Sequence, residues 1–250
     1  MIPGGLAVDR SDRGALDEPL IVCIHGVMDR AASFRRTMRR LESLDVVAFD
    51  RRGYAGSLGL GASEDLTRHV ADAIAVAAGR RCVLVGHSFG AVIALRAAAE
   101  RPDLVAALAL YEPPVGWVEG VERPPPLIAV EEPPSAVAEA FFIATVGARA
   151  WARLPERTRA VRLAEGPAIG ADLRMAGTGP GVALGDVLQP VWIAHGDDPG
   201  GRYGPGAQRL AQLVPDGRVQ VFDGVGHGVH LSHPDRFAAW IRSVPARIRG

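Results

Sequence analysis

The chain has 250 residues, 48% of them hydrophobic, enough to bury the core of one large domain, and its 28 basic and 28 acidic residues cancel to zero formal charge. A balanced charge excludes the basic footprint that a phosphate backbone requires, so no nucleic-acid partner is expected. Every basic residue is arginine, and the absence of lysine removes Schiff-base chemistry, pyridoxal-phosphate attachment and a P-loop lysine.

The opening stretch MIPGGLAVDRSDRG has no apolar signal-like core, and no later stretch reaches the ~18 apolar residues of a membrane span. A soluble cytoplasmic protein with no membrane partner is the expectation. The apolar runs PLIVCIHG (19–26), LDVVAFDRRG (44–53), RCVLVGHS (81–88) and VAALALYEPP (105–114) lack alternation and end in glycine, proline or charge, which predicts strands buried on both faces. Between them, Ser63 is placed to cap a helix through Ala78, with Leu66, Val70, Ile74 and Ala77 on one face and Gly79 as the stop. A second helix is predicted from Phe89 to Glu100, closed by Arg101 and Pro102. Cys23 and Cys82 each sit within a strand run and read as inert core thiols.

Residues 116–185 break this rhythm. A proline-rich loop with a stiff spacer at Pro124–Pro126 leads into helical spacing without a strand. Two further strands follow in QPVWIAHGDDPGG (189–201) and RVQVFDGVGHG (218–228), with a helix around Gly206–Leu213 between them. The predicted fold class is α/β, an open, mostly parallel, doubly wound sheet. Residues 1–115 and 186–250 form its core, and residues 116–185 form a helical cap inserted before the penultimate strand. Chemistry in such a sheet belongs at the carboxyl ends of the strands.

One such end carries Gly86-His87-Ser88-Phe89-Gly90. Small residues on both sides let the chain turn sharply from strand to helix and lift the serine side chain clear. The helix that follows offers free N–H groups and a positive dipole end to a developing oxyanion. With this elbow, HGVMD (25–29) after the first predicted strand, DRRGYAGS (50–57) and GVGHGVHLSHPDRFAAWI (224–241), the chain resembles the α/β-hydrolase superfamily over nearly its whole length outside the cap.

That resemblance implies Ser88 as nucleophile, His227 as its general base, and the backbone N–H groups of Val27 and Phe89 as the oxyanion hole. It gives His25 and His87 a packing role. His230, three residues past His227, is the alternative base, and His69 reads as an exposed helix residue. The acid departs from the family pattern, which places it three residues past a glycine after the penultimate strand. Here Asp197 and Asp198 stand only one and two residues past Gly196. A second position used in the superfamily, at the end of the preceding strand, holds Glu112 before Pro113 and Pro114. Glu112 is the favoured third member of the triad and Asp198 the alternative.

The expected function is cofactor-independent hydrolysis of a carboxylic ester, lactone or thioester through an acyl-serine intermediate. C–C hydrolases, cofactor-free haloperoxidases and lyases of the superfamily share the motif, and a low-turnover binding protein on the same scaffold is the reading from another class. Trp117, Phe141, Phe142 and Trp151 are the candidate lining of an apolar substrate pocket, or alternatively the core of the cap. No metal site is expected, because His195, Asp197 and Asp198 lack paired ligand spacing. The partner is then a small apolar ester-like molecule, and the chain is a monomer or homodimer.

Overall fold

A computed structural model describes residues 4–12, 18–122, 128, 133–197 and 202–248. Asp198 and the Pro124–Pro126 spacer lie outside them. Among the described residues, seven strands form one sheet: β1 (Val8–Ser11), β2 (Leu20–Ile24), β3 (Val46–Phe49), β4 (Cys82–His87), β5 (Val105–Tyr111), β6 (Val191–Gly196) and β7 (Gly217–Phe222), in the order β1-β3-β2-β4-β5-β6-β7. All neighbours run parallel except β1, which pairs antiparallel with β3.

Every residue of β2 to β6 is buried, as continuous apolar runs demand. The pleat divides them between two cores. Leu20, Val22, Ile24 and Leu84 pack beneath α2 (Leu66–Ala77) and α3 (Phe89–Glu100), whereas Ile21, Cys23, Val83 and Val85 meet α1 (Arg35–Met38) and α10 (Pro234–Ile248) on the other face. Burial pushes both thiols, Cys23 and Cys82, up to about 12, and both are free.

The structure adds and corrects three details. β1 is short and half-buried, so it carries none of the apolar signal that marks the other strands. The cap of α2 is Asp65, whose carboxylate accepts from the Thr67 N–H, whereas Ser63 accepts from Asp65 N–H one turn earlier. His69 is buried rather than exposed, with its ring edge-on to Phe89 at 6.1 Å.

Among the described residues between β5 and β6 lie four α-helices: α4 (Pro134–Val146), α5 (Ala148–Arg153), α6 (Glu156–Ala164) and α7 (Gly166–Thr178). They share a separate apolar cluster, in which Val137, Phe141, Phe142, Trp151 and Ile169 meet Met28 and Tyr54 from the sheet's carboxyl end. Polar contacts fix the same junction. Arg162 donates to the Met28 carbonyl at 2.8 Å, and buried Glu165 accepts from Arg30 at 3.1 Å and from the Ala55 N–H at 3.0 Å. Among the described residues, no helix is long and apolar enough to cross a membrane.

Candidate active site

β2 lies between β3 and β4, so the chain leaves β2 and β4 towards opposite sides of the sheet, and it is outside the carboxyl ends of strands at such a point that open α/β sheets bind ligands. Four segments named in the sequence meet at this end of the sheet: the loop after β2, the elbow after β4, the exit of β5 and the loop after β7.

The elbow is built on close backbone approach. A Cβ on Gly90 would lie 2.1 Å from the Ile24 carbonyl oxygen, and one on Gly86 would lie 2.5 Å from the Ala91 Cα. Both glycines are therefore needed to seat α3 against the strands. Between them Ser88 takes φ 52° and ψ −123°, a backbone state that costs about 1–3 kcal/mol for a non-glycine residue and persists only where the surroundings impose it. The Ser88 N–H donates to the Tyr111 carbonyl at 2.9 Å, which ties the turn to β5.

Glu112 leaves β5 in the same way. Its φ is 46°, its N–H donates to the Ala194 carbonyl at 2.9 Å, and its side chain is buried. One carboxylate oxygen accepts from the Gly196 N–H at 2.9 Å, and the other lies 2.5 Å from Nδ1 of His227. The glutamate is thus held at one oxygen and presented to the imidazole with the other. The loop carrying His227 is fixed independently: Tyr111 Oη donates to the Gly226 carbonyl at 3.0 Å, and His87 Nε2 lies 2.8 Å from the His227 carbonyl oxygen. Tyr203 stacks on the His227 ring at 5.1 Å.

The loop after β2 presses on the elbow. A Cβ on Gly26 would stand 2.8 Å from the Ser88 Cβ. The Gly26 carbonyl accepts from His25 Nδ1 at 2.8 Å and from Arg51 Nη2 at 3.0 Å. In a trans peptide this fixes the opposed N–H of Val27 as well. Arg51 also donates to the His25 carbonyl at 2.9 Å and is anchored by Asp172 of α7 through contacts of 3.0 and 2.5 Å. Tyr54 completes the buried set, donating to Asp172 at 2.6 Å.

A family model described as the alpha/beta hydrolase family matches residues 21–240. The chain belongs to that family. A 2-(acetamidomethylene)succinate hydrolase of Mesorhizobium japonicum is 28% identical over 87% of this chain and 84% of its own length. A pimeloyl-[acyl-carrier protein] methyl ester esterase of Aromatoleum aromaticum is 41% identical over 31% of each chain. Lipase LipV of Mycobacterium tuberculosis is 34% identical over 38% of this chain and 37% of its own. The chain thus spans about a third of the length of the esterase and of the lipase. An alpha/beta hydrolase from Sphaerobacter thermophilus shares the fold at TM-score 0.71 and 24% identity, covering 95% of each chain.

In this hydrolase the structure brings Ser88, Glu112, His227, Val27 and Phe89 to one end of the sheet. Phe141, Phe142 and Trp151 are buried in the cluster around Met28. Trp117 instead packs against the main core, where its ring fills the space above Gly179, and it donates to the Pro114 carbonyl at 2.6 Å. His230 is buried and stacked on Phe34. Asp197 accepts from the Gly224 N–H, which ties the loops after β6 and β7. Arg51 lies within DRRGYAGS (50–57), but nothing local marks it over Arg52, and Asp172, an aspartate within a helix, carries no local pattern.

Proposed function

We propose that this hydrolase is a serine esterase, cleaving a carboxylic ester, lactone or thioester through an acyl intermediate on Ser88. The observation that carries the reading is the 2.5 Å contact of Glu112 with Nδ1 of His227, which leaves Nε2 of that ring to serve as base. Ser88 Oγ attacks the carbonyl carbon while its proton passes to His227 Nε2. The oxyanion so formed is met by the N–H groups of Val27 and Phe89. The protonated imidazole, stabilised by Glu112, returns the proton to the leaving alkoxide or thiolate. Water, deprotonated by the same nitrogen, then releases the acid and restores Ser88.

The helices between β5 and β6 act as a cap, and the apolar part of the substrate lies against the Met28, Phe141, Phe142 and Trp151 cluster. Resemblance over about a third of the chain to proteins named as an esterase and a lipase supports an ester, and the match over 87% of the chain to a 2-(acetamidomethylene)succinate hydrolase supports the alternative of a non-ester member of the family. The test is a fluorophosphonate probe followed by mass spectrometry of the peptide holding Ser88, with turnover measured on ester, lactone and thioester panels. Label on Ser88 and hydrolysis of one panel are expected. An unlabelled Ser88 with no product would end the reading, and tight ligand binding without product would replace it with a binding protein on the same scaffold.

A further inference from the structure

Beside the elbow lies a group of side chains with no part in the proposed reaction. Asp29 Oδ2, a His87 ring nitrogen and a His230 ring nitrogen lie within 4.8 Å of one another. Asp29 Oδ2 is 3.0 Å from His230 Nε2 and 3.9 Å from His87 Nδ1. The two rings are 4.5 Å apart and nearly enclosed, with 5% and 2% of His87 and His230 exposed. His87 Nδ1 has no hydrogen-bond partner, although buried polar atoms almost always do, and Asp29 Oδ2 and His230 Nε2 meet only each other, as an ion pair.

The tautomer of His87 sharpens the point. Its Nε2 faces the His227 carbonyl at 2.8 Å, and a carbonyl only accepts, so in the neutral ring the proton is on Nε2 and Nδ1 presents a lone pair. A lone pair and a carboxylate oxygen therefore face each other across a buried gap, an arrangement that calls for a cation. Gly26 keeps the nitrogen uncovered, since a Cβ there would lie 3.2 Å from Nδ1.

We propose that Asp29 Oδ2, His87 Nδ1 and His230 Nε2 form a binding site for a divalent transition ion of the zinc class, with water in the fourth position. Two imidazoles and one carboxylate are a donor set zinc takes, and tetrahedral donors at its bond lengths stand about 3.3 Å apart; here the carboxylate oxygen stands 3.0 and 3.9 Å from the two nitrogens, which themselves lie within 4.8 Å of each other. The outer contacts suit a metal at two of the three ligands. His87 donates its other N–H to a backbone carbonyl, and Ser33 donates to Asp29 Oδ1, which leaves Oδ2 to the ion, whereas His230 Nδ1 has no partner. Asp29 is the most exposed of the three side chains, at 15%, and gives the ion its way in. The ligands come from the loop after β2, the end of β4 and α9 (Val229–Ser232), so no sequence spacing announces them. The inference is independent of the esterase reading.

The test is calorimetric titration of zinc chloride into the full chain after chelator treatment, at neutral pH. One ion per chain is expected, with a Tm rise of about 5 °C or more when zinc is present at a hundredfold excess over its Kd. Asp29→Asn and His230→Gln should each weaken binding at least ~10-fold, while Ser88→Ala and His227→Ala keep it. X-ray absorption at the zinc edge of the wild-type complex, which needs no variant to fold, should show two imidazoles with oxygen donors and no sulfur. Failure of the wild type to bind one zinc ion, sulfur in the first shell, binding undiminished in Asp29→Asn and His230→Gln, or loss of binding in His227→Ala would overturn the site.

Discussion

Arg51, in the loop after β3, and Asp172, in α7, form a fully buried bidentate pair that joins the helical insertion to the carbonyls of His25 and Gly26. Removing one member of such a pair strands a charge in the interior and costs about 3–5 kcal/mol, whereas replacing both by apolar groups is often neutral. Asp172→Leu should therefore destabilise the fold by that amount in urea unfolding, and Arg51→Met with Asp172→Leu should recover most of it. Turnover should not recover in the double variant, because the Gly26 carbonyl loses its arginine donor and the Val27 N–H its orientation. Full activity in a stable double variant would remove Arg51 from the positioning of the proposed oxyanion loop.

Glu112 and Asp198 compete for the third place in the proposed triad, and the described contacts favour Glu112. An amide there keeps the shape but not the charge, and can leave the imidazole in the wrong tautomer. Glu112→Gln should lower kcat by about 10³–10⁴ with an unchanged urea midpoint, and Asp198→Ala should stay near wild-type turnover. Full activity in the first variant, together with a loss of several orders of magnitude in the second, would reverse the assignment.

The central strands and the elbow are legible in the sequence because both faces of the sheet are covered, and because a turn this tight admits little besides glycine. Their signals are local. The edge strand β1 is invisible for the opposite reason, since polar residues such as half-buried Asp9 and exposed Arg10 form a strand only where β3 offers an open edge. The burial of His69 likewise depends on where α2 meets Phe89, not on its position in a helical repeat. The Arg51–Asp172 pair and the Asp29, His87 and His230 group join residues whose separations in the chain are fixed only by the fold. Glu112 lies between these cases: it stands out because it ends a strand before two prolines, but its partner oxygen and nitrogen are known only from the folded chain.

Gly26 brings the loop after β2, the proposed oxyanion loop, close to Ser88. Its conformation is open to any residue, so space alone decides: the Cβ of Gly26→Ala would stand 2.8 Å from the Ser88 Cβ and 3.2 Å from the His87 carbonyl oxygen. Relief requires the loop to retreat from the elbow, withdrawing the proposed Val27 donor. Loss of a single oxyanion donor costs ~10²–10³ in kcat. Gly26→Ala should approach that loss with KM changed only a few-fold, and wild-type kcat in this variant would show that Val27 is not a donor.

His69 makes stability depend on pH. Burial, and then the nearby Arg51 cation, push its pKa down to about 4 from the ordinary 6.5, and its Nδ1 has no hydrogen-bond partner. Between those two values the unfolded chain binds the proton and the folded chain does not, so folding is weakened as the pH falls from 6.5 towards 4. The full effect of this ring is roughly 3 kcal/mol. His69→Phe keeps an aromatic ring against Phe89 and removes the titration. In urea unfolding across this window its stability should fall with acidification less steeply than the wild type, by close to one proton. Parallel curves for the two proteins would mean that His69 already carries its proton in the fold.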